Sequence, residues 1–265
     1  MRTKTRAILT VMVILMMTVS TLSICAAQDK PATSVSAGFF SKYIWRGYEL
    51  SKDSLVIQPD VNVGYKGFKM DVWGNLDTKH FDPASDDKNS RWTETDLTLT
   101  YDYDLGPVTV GAGYIYYALA TSTFDSQELF LKAAGNCLLT PTLTIYREFA
   151  HYPGWYFKLG VNHSIPVVDK ITVDLAASVG YLKSDTDKTV EYDDSLKPTT
   201  SNFNAFHDGL VTVGMTIPFC TYFTASPQIG YSFPLTNTAK NEIRATSFSD
   251  DSQFFFGGVT LGMAF

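Results

Sequence analysis

The chain has 265 residues, with 21 basic and 27 acidic side chains and a formal net charge of −6. That balance leaves no basic patch able to neutralise phosphates, so a nucleic-acid partner is excluded. Aromatic residues make up 14% of the chain, including 15 Tyr and 18 Phe, which suits a barrel ringed by aromatic side chains at two membrane interfaces.

Taken in chain order, the first segment is Arg2, Lys4 and Arg6, then the charge-free apolar run 7–24, then Ala26-Ala27 before Gln28. This is the pattern of a signal peptide, expected to be cleaved after residue 27 and to leave 28–265 as a single barrel domain. Cleavage would remove three basic residues and no acid, leaving 18 basic against 27 acidic side chains. Two other readings of the start fit less well. An uncleaved anchor is weakened by Thr18, Ser20, Thr21 and Ser23, and lipidation of Cys25 by the bulky Ile24 before it. After residue 27 no apolar run is long enough for a transmembrane helix.

From there to the end the dominant signal is period-two alternation. In 171–181 the odd positions Ile171, Val173, Leu175, Ala177, Val179 and Tyr181 are apolar, and the even ones Thr172, Asp174, Ala176, Ser178 and Gly180 are polar or small. The alternation predicts strands at 34–46, 54–65, 68–77, 91–103, 108–117, 126–134, 142–149, 155–165, 171–182, 202–217, 222–233 and 252–265. Many run to about 10–13 residues, the length that crosses a bilayer at a tilt. Short turns with Gly67, Gly106-Pro107, Pro166 and Pro218 alternate with long polar connections at 78–90, 183–201 and 234–251. The connections around strands six to eight fit this rhythm least well. The expected fold is all-β: a closed, antiparallel, up-and-down transmembrane β-barrel of about 12 strands, because lipid offers no partner to an unpaired strand edge. The last strand ends on Phe265, the kind of terminal signal that the outer-membrane barrel assembly machinery recognises.

One stretch carries a resemblance. Within 36–77 stand Ser41, Tyr43, Arg46 and Gly47 as a Ser-x-Tyr-x-x-Arg-Gly core, then Gln58-Pro59, Gly64-Tyr65, Trp73 and Asn75. This segment resembles the TorF-family porins over its first three strands. Lys42 departs from the acidic residue expected there. The resemblance implies an outer-membrane barrel of porin type and supplies no substrate.

If the apolar faces meet lipid, the other faces line the lumen. The expected lining acids are Asp60, Asp71, Asp77, Glu94, Asp96, Asp102, Glu128, Glu148, Asp174 and Asp208, and the bases are Lys42, Arg46, Lys69, Lys132 and Lys158. The acid excess points to a channel for small hydrophilic solutes that leans towards cations. The competing reading is that these charges pair across the lumen and plug it. Arg46, at the outer end of the first strand, is expected to pair with an acid such as Asp60 or Asp77 unless it faces solute. Arg147 falls on the apolar face near the outer rim. His207 reads as lipid-facing. Tyr43, Trp45, Tyr114, Tyr116, Trp155, Tyr181 and Tyr231 read as interface aromatics. Among His80, His151, His163 and His207 none stands beside a Ser in a recognisable motif, so a hydrolase is the weaker rival to a channel, as is a closed structural or adhesive barrel. Loop 183–201 is acidic, which suits either a solvated face or divalent cations that bridge lipopolysaccharide. Export would permit a disulfide between Cys137 and Cys220, although they fall in non-neighbouring turns, and they have no metal-site spacing. No cofactor is expected, and the expected partners are outer-membrane lipid and lipopolysaccharide, the assembly machinery and the solutes themselves.

Overall fold

The computed structural model describes residues 30–81, 89–120, 124–219 and 221–265. The signal-peptide reading and Cys220 lie outside the described residues. Twelve strands close into an antiparallel barrel. They are β1 (Ala32–Phe40), β4 (Val56–Tyr65), β5 (Phe68–Asp77), β6 (Arg91–Asp104), β7 (Val108–Leu119), β8 (Ser126–Gly135), β9 (Thr142–Glu148), β10 (Gly154–Val168), β11 (Ile171–Ser184), β14 (Asn204–Pro218), β15 (Phe223–Pro234) and β16 (Phe254–Ala264). Two small hairpins branch from the connections: β2 (Ile44–Trp45) with β3 (Tyr48–Glu49), and β12 (Val190–Tyr192) with β13 (Pro198–Asn202). One helix, α1 (Asn237–Thr246), lies in the last long connection.

Strands β1 and β16 zip along seven residue pairs from Ser34↔Ala264 to Phe40↔Gly258. Reciprocal backbone bonds between Thr33 and Phe265, 3.2 and 3.0 Å, finish the seam. No edge strand is left in the barrel wall, which removes the row of unpaired N–H and C=O groups that an open sheet would show. At one end the connections are tight. Lys66 and Gly67, both at positive φ, form the two-residue turn between β4 and β5. In the next turn at this end, Leu105 N–H donates to Val108 O, with Gly106 at positive φ. The long connections gather at the opposite end.

The outer surface is apolar. Leu129, Leu131, Leu159, Val211, Val213, Ile229 and Leu261 are all more than a third exposed. Rings bound this belt on both sides. Trp155, Phe206, Tyr231 and Phe255 ring the long-loop end, and Phe68, Tyr101, Tyr103, Phe219, Tyr222 and Phe223 ring the short-turn end. Tyr114, Tyr116 and Tyr181 bond outer-edge polar groups on Gln127, Asp125 and Asn204.

The first expected strand, 34–46, is corrected by the structure: β1 stops at Phe40, and the chain then leaves the wall and turns inward. The 234–251 connection holds α1 rather than an irregular loop, capped by Thr236, whose hydroxyl accepts from Ala239 N–H at 3.1 Å. The expected strands six to eight fold as β8, β9 and β10 in consecutive antiparallel register.

Candidate functional site

The inward segment after β1 builds the centre of the barrel. Its tip is Arg46-Gly47, with φ of 48° and 85°, between the pairs Trp45↔Tyr48 and Ile44↔Glu49. Two consecutive residues at positive φ make the tight hairpin turn, and glycine relieves one of them. A side chain at Gly47 would also run into the Asp208 Cβ at 2.9 Å. The hairpin is therefore pressed against β14 of the wall.

Arg46 reaches β8 and closes on Glu128 with two bonds, 2.8 and 2.7 Å, a bidentate fork. Its guanidinium also lies over the rings of Trp45, Tyr146 and Tyr156 at 4.5, 4.5 and 4.3 Å. Side-chain exposures of 13% for Arg46 and 4% for Glu128 place the pair away from bulk water. Tyr117 adds a donor to Glu128 at 2.9 Å. Along the same hairpin, Tyr43 donates to Glu94 at 3.0 Å and Lys42 bonds Glu49 at 2.6 Å. Tyr48 donates to Glu242 of α1 at 3.0 Å, and Glu49 accepts from Ser249 N–H at 2.9 Å. The ion pair foreseen for Arg46 thus exists, but with Glu128 instead of Asp60 or Asp77, because Arg46 sits on the hairpin rather than on the wall. Tyr43 and Trp45 are likewise lumenal and not interface rings.

His207 is corrected too: it is fully buried inside the barrel, not facing lipid. The cause is a β-bulge. Between Val179↔Gly209 and Tyr181↔Phe206, the two residues His207 and Asp208 oppose Gly180 alone, so both point inward while Phe206 stays outside. His207 sits 3.1 Å from Asp208 through Nδ1 and 3.1 Å from Glu242 through Nε2. Tyr156 donates to Asp208 at 2.9 Å. A second bulge at Thr93 turns Thr93 and Glu94 inward together. Sequence alternation misses both bulges, since each extra residue inverts the parity beyond it. Gly180 is the one visible trace, because a side chain there would collide with Tyr156 and Asp208.

The remaining expected residues fall as follows. Lys69 and Lys132 both close on Asp102, at 3.0 and 2.8 Å. Asp71 accepts from Asn62, and Asp77 accepts from Lys79 N–H with His80 beside it. Glu148 takes Ser126 and the backbone N–H groups of Ala150, His151 and Tyr152. Asp174 bonds Thr172 and Thr216. Asp60, Asp71 and Asp96 make no ion pair among the described residues, and Lys158 makes none either. Arg147 does lie on the outer face, over the Trp155 ring at 5.0 Å and paired with Asp185. His151 stacks on Phe124 at 3.8 Å. Among the described residues no group of His, Cys, Asp and Glu has metal-binding geometry. In loop 183–201, Asp193 instead accepts from the N–H groups of Ser195 and Lys197. Cys137 is exposed and free.

Above the hairpin, towards the long loops, is a vestibule of about 660 Å³ lined by Trp45, Arg46, Tyr48, Glu128, Tyr152 and Tyr192. Below it is a chamber of about 310 Å³ lined by Arg46, Asp96, Tyr146, Lys158, Ser178 and Asp208. Arg46 belongs to both. Phe203, Ala239, Ile243 and Phe254, with Ile44, Leu182 and Ala205, form a small apolar core that holds α1 over the hairpin. The arrangement has ion pairs, hydroxyls and rings around a two-chambered lumen, and among the described residues His207 has no serine partner.

No family model matches the chain, and no curated protein matches it. Solved structures do. The fold is similar to that of the KdgM porin, at 10% identity and a TM-score of 0.53, over 88% of this chain and 99% of that one. It is similar to the NanC porin at 10% identity and a TM-score of 0.54, over 88% and 98% of the two chains. An outer membrane channel from Pseudomonas putida F1 matches at 10% identity and a TM-score of 0.50, over 91% and 97%. At such identities the likeness establishes architecture: this chain has the closed, 12-strand antiparallel barrel of outer-membrane porins and channels.

Proposed function

We propose that this protein is a porin-type channel of a bacterial outer membrane, passing small hydrophilic solutes by passive diffusion through a constriction made by hairpin β2–β3. The observation that carries the reading is the pair of chambers meeting at Arg46 inside a barrel whose exterior is an apolar belt between aromatic rings. Such a belt belongs in lipid. The short turns then face the periplasm and the long loops the exterior. The Ser41 to Gly47 motif that resembles the TorF porins builds the hairpin itself, which supports an affiliation of that type. Asp60, Asp71 and Asp96 lie without ion pairs on adjacent strands β4, β5 and β6, and support a lean towards cations. Lipopolysaccharide would surround the outer ring of aromatics, and the β16 seam ending in Phe265 is the segment offered to the assembly machinery.

One observation favours a second reading, a closed structural or adhesive barrel: the hairpin turns into the lumen and the apolar core packs α1 beside it. Recording the folded 28–265 protein in planar bilayers under a salt gradient separates the two. Stepwise conductance with a cation-directed reversal potential supports the channel. Silence from protein shown to be folded by its heat-modifiable migration refutes it and supports the closed barrel.

A further inference from the structure

We propose that Arg147 and Lys183 form a site on the outside of the barrel for a phosphate of a phosphorylated, acylated sugar lipid in the outer leaflet. The inference rests on the orientation given above, long loops outermost, and assigns the lipid partner to one place on the rim.

Among the described residues, the basic side chains of the barrel strands are Lys69, Arg91, Lys132, Arg147, Lys158 and Lys183. Lys69 and Lys132 turn inward to Asp102, and Arg91 and Lys158 line the vestibule and the chamber below it. Only Arg147 and Lys183 face outward, and the register places no Asp or Glu of these strands on that face. The two cations also stand in one row, because Trp155 pairs with Arg147 on one side and with Lys183 on the other. A charge on the lipid face is costly at the midplane and tolerated at headgroup depth. Trp155, in the outer aromatic ring, sets the row at that depth.

The residue just past β11, Asp185, shows that both side chains can converge on one oxyanion. Arg147 Nη1 bonds its Oδ2, and Lys183 Nζ lies 3.6 Å from its Oδ1. This acid offsets one of the two charges, so the cluster keeps a net positive charge. One carboxylate does not fill the N–H groups of a guanidinium and an ammonium. The side chains of Arg147 and Lys183 are 32% and 50% exposed, which leaves them open to a second anion. The guanidinium fork matches two oxygens of a phosphate, and the ammonium adds a point charge.

The surface below the row says why the anion belongs to a lipid. Trp155, Phe157, Tyr181 and Phe206 follow one another on the outer face at centroid separations of 6.3, 6.1 and 5.2 Å. Leu159 and Val179 continue this surface into the apolar belt, both more than a third exposed. A headgroup phosphate on the row therefore lays its acyl chains against rings and aliphatic side chains. Free phosphate meets the charges alone.

The test uses native mass spectrometry of the folded 28–265 protein in detergent, with diphosphoryl lipid A as the probe. Wild type is expected to retain it and to hold the same acylated disaccharide without phosphates about tenfold more weakly or less. R147Q/K183Q is expected to weaken lipid A binding about tenfold or more, while K170Q, in the β10–β11 turn at the other end, leaves it unchanged. D185N, which removes the internal competitor, is expected to bind at least as well as wild type. Folding of each variant is checked by heat-modifiable migration. Equal binding by wild type and R147Q/K183Q, equal binding with and without phosphates, or an equal loss in K170Q overturns the proposal. So does a loss in D185N as large as in the double variant, which would make the three residues a structural clasp. Displacement of the lipid by an equal concentration of inorganic phosphate overturns the lipid as occupant. Binding needs no conduction, so a silent barrel that retains the lipid refutes the channel and keeps the site. A conducting barrel whose lipid binding ignores R147Q/K183Q does the reverse.

Discussion

Removing Glu128 while keeping Arg46 strikes the contact that pins the hairpin tip. In E128A the guanidinium keeps its three rings but loses both charged bonds, 2.8 and 2.7 Å, in a site only 4–13% exposed. Breaking one side of a buried pair costs about 3–5 kcal/mol, since it leaves an uncompensated charge. At about 1.4 kcal/mol per factor of ten, the ratio of displaced to docked hairpin rises roughly a hundredfold to a few thousandfold. The barrel wall makes its own ladder bonds and is expected to stay folded. Single-channel recording is therefore expected to show larger steps or longer open times for E128A than for wild type. The double variant R46M/E128L, which removes both charges and keeps volume, is expected to return close to wild-type behaviour. Folded E128A with the step size and dwell times of wild type would refute the argument that this pair sets the constriction.

Other substitutions probe other parts of the fold. G180V puts a branched side chain where Tyr156 and Asp208 already stand; overpacking of this kind costs about 1–3 kcal/mol and should lower the melting temperature of the SDS-resistant folded band. T236A removes the cap of α1, a loss of about 1 kcal/mol, and should speed hydrogen exchange of the helix amides about fivefold while the strands are unaffected. Deleting Phe265 removes both backbone bonds to Thr33; assembly into vesicles by reconstituted assembly machinery should slow, and an unchanged rate would count against a role for the terminal residue. Arg147 and then Lys183 hold the Asp185 carboxyl below its usual range. Its tether to the β9 rim should therefore be fully present above the ordinary carboxylate pKa and be lost only as pH falls through the lowered value, which an NMR titration of Asp185 would show.

The wall was legible in the sequence because one face of each strand is apolar over its whole length, as in Ile171 to Tyr181, and a one-residue slip would exchange the two faces. Turn glycines such as Gly67 then fixed the ends. The interior was legible only in part. Glu128, Asp102 and Lys132 were placed on the inner face by parity, but parity cannot say which charge meets which across a lumen. Bulges at Thr93 and His207 hid two interior residues. The hairpin was hidden because Ser41 to Arg46 continues to look like a strand; the Arg46-Gly47 step, with aromatics on either side, was the available clue. Helix α1 gave a similarly faint sign, a Thr cap followed by Ala239 and Ile243 four residues apart.

The hairpin's partners lie far along the chain: Glu128 is 82 residues from Arg46, Glu242 is 194 from Tyr48, and Ser249 is 200 from Glu49. These bonds can form only once β8 and the 234–251 connection with α1 have been placed, although the hairpin itself is made early in synthesis. The hairpin therefore ties the start of the barrel to its far strands and to the last long connection, and its resting position depends on segments that follow it by about 80 to 200 residues.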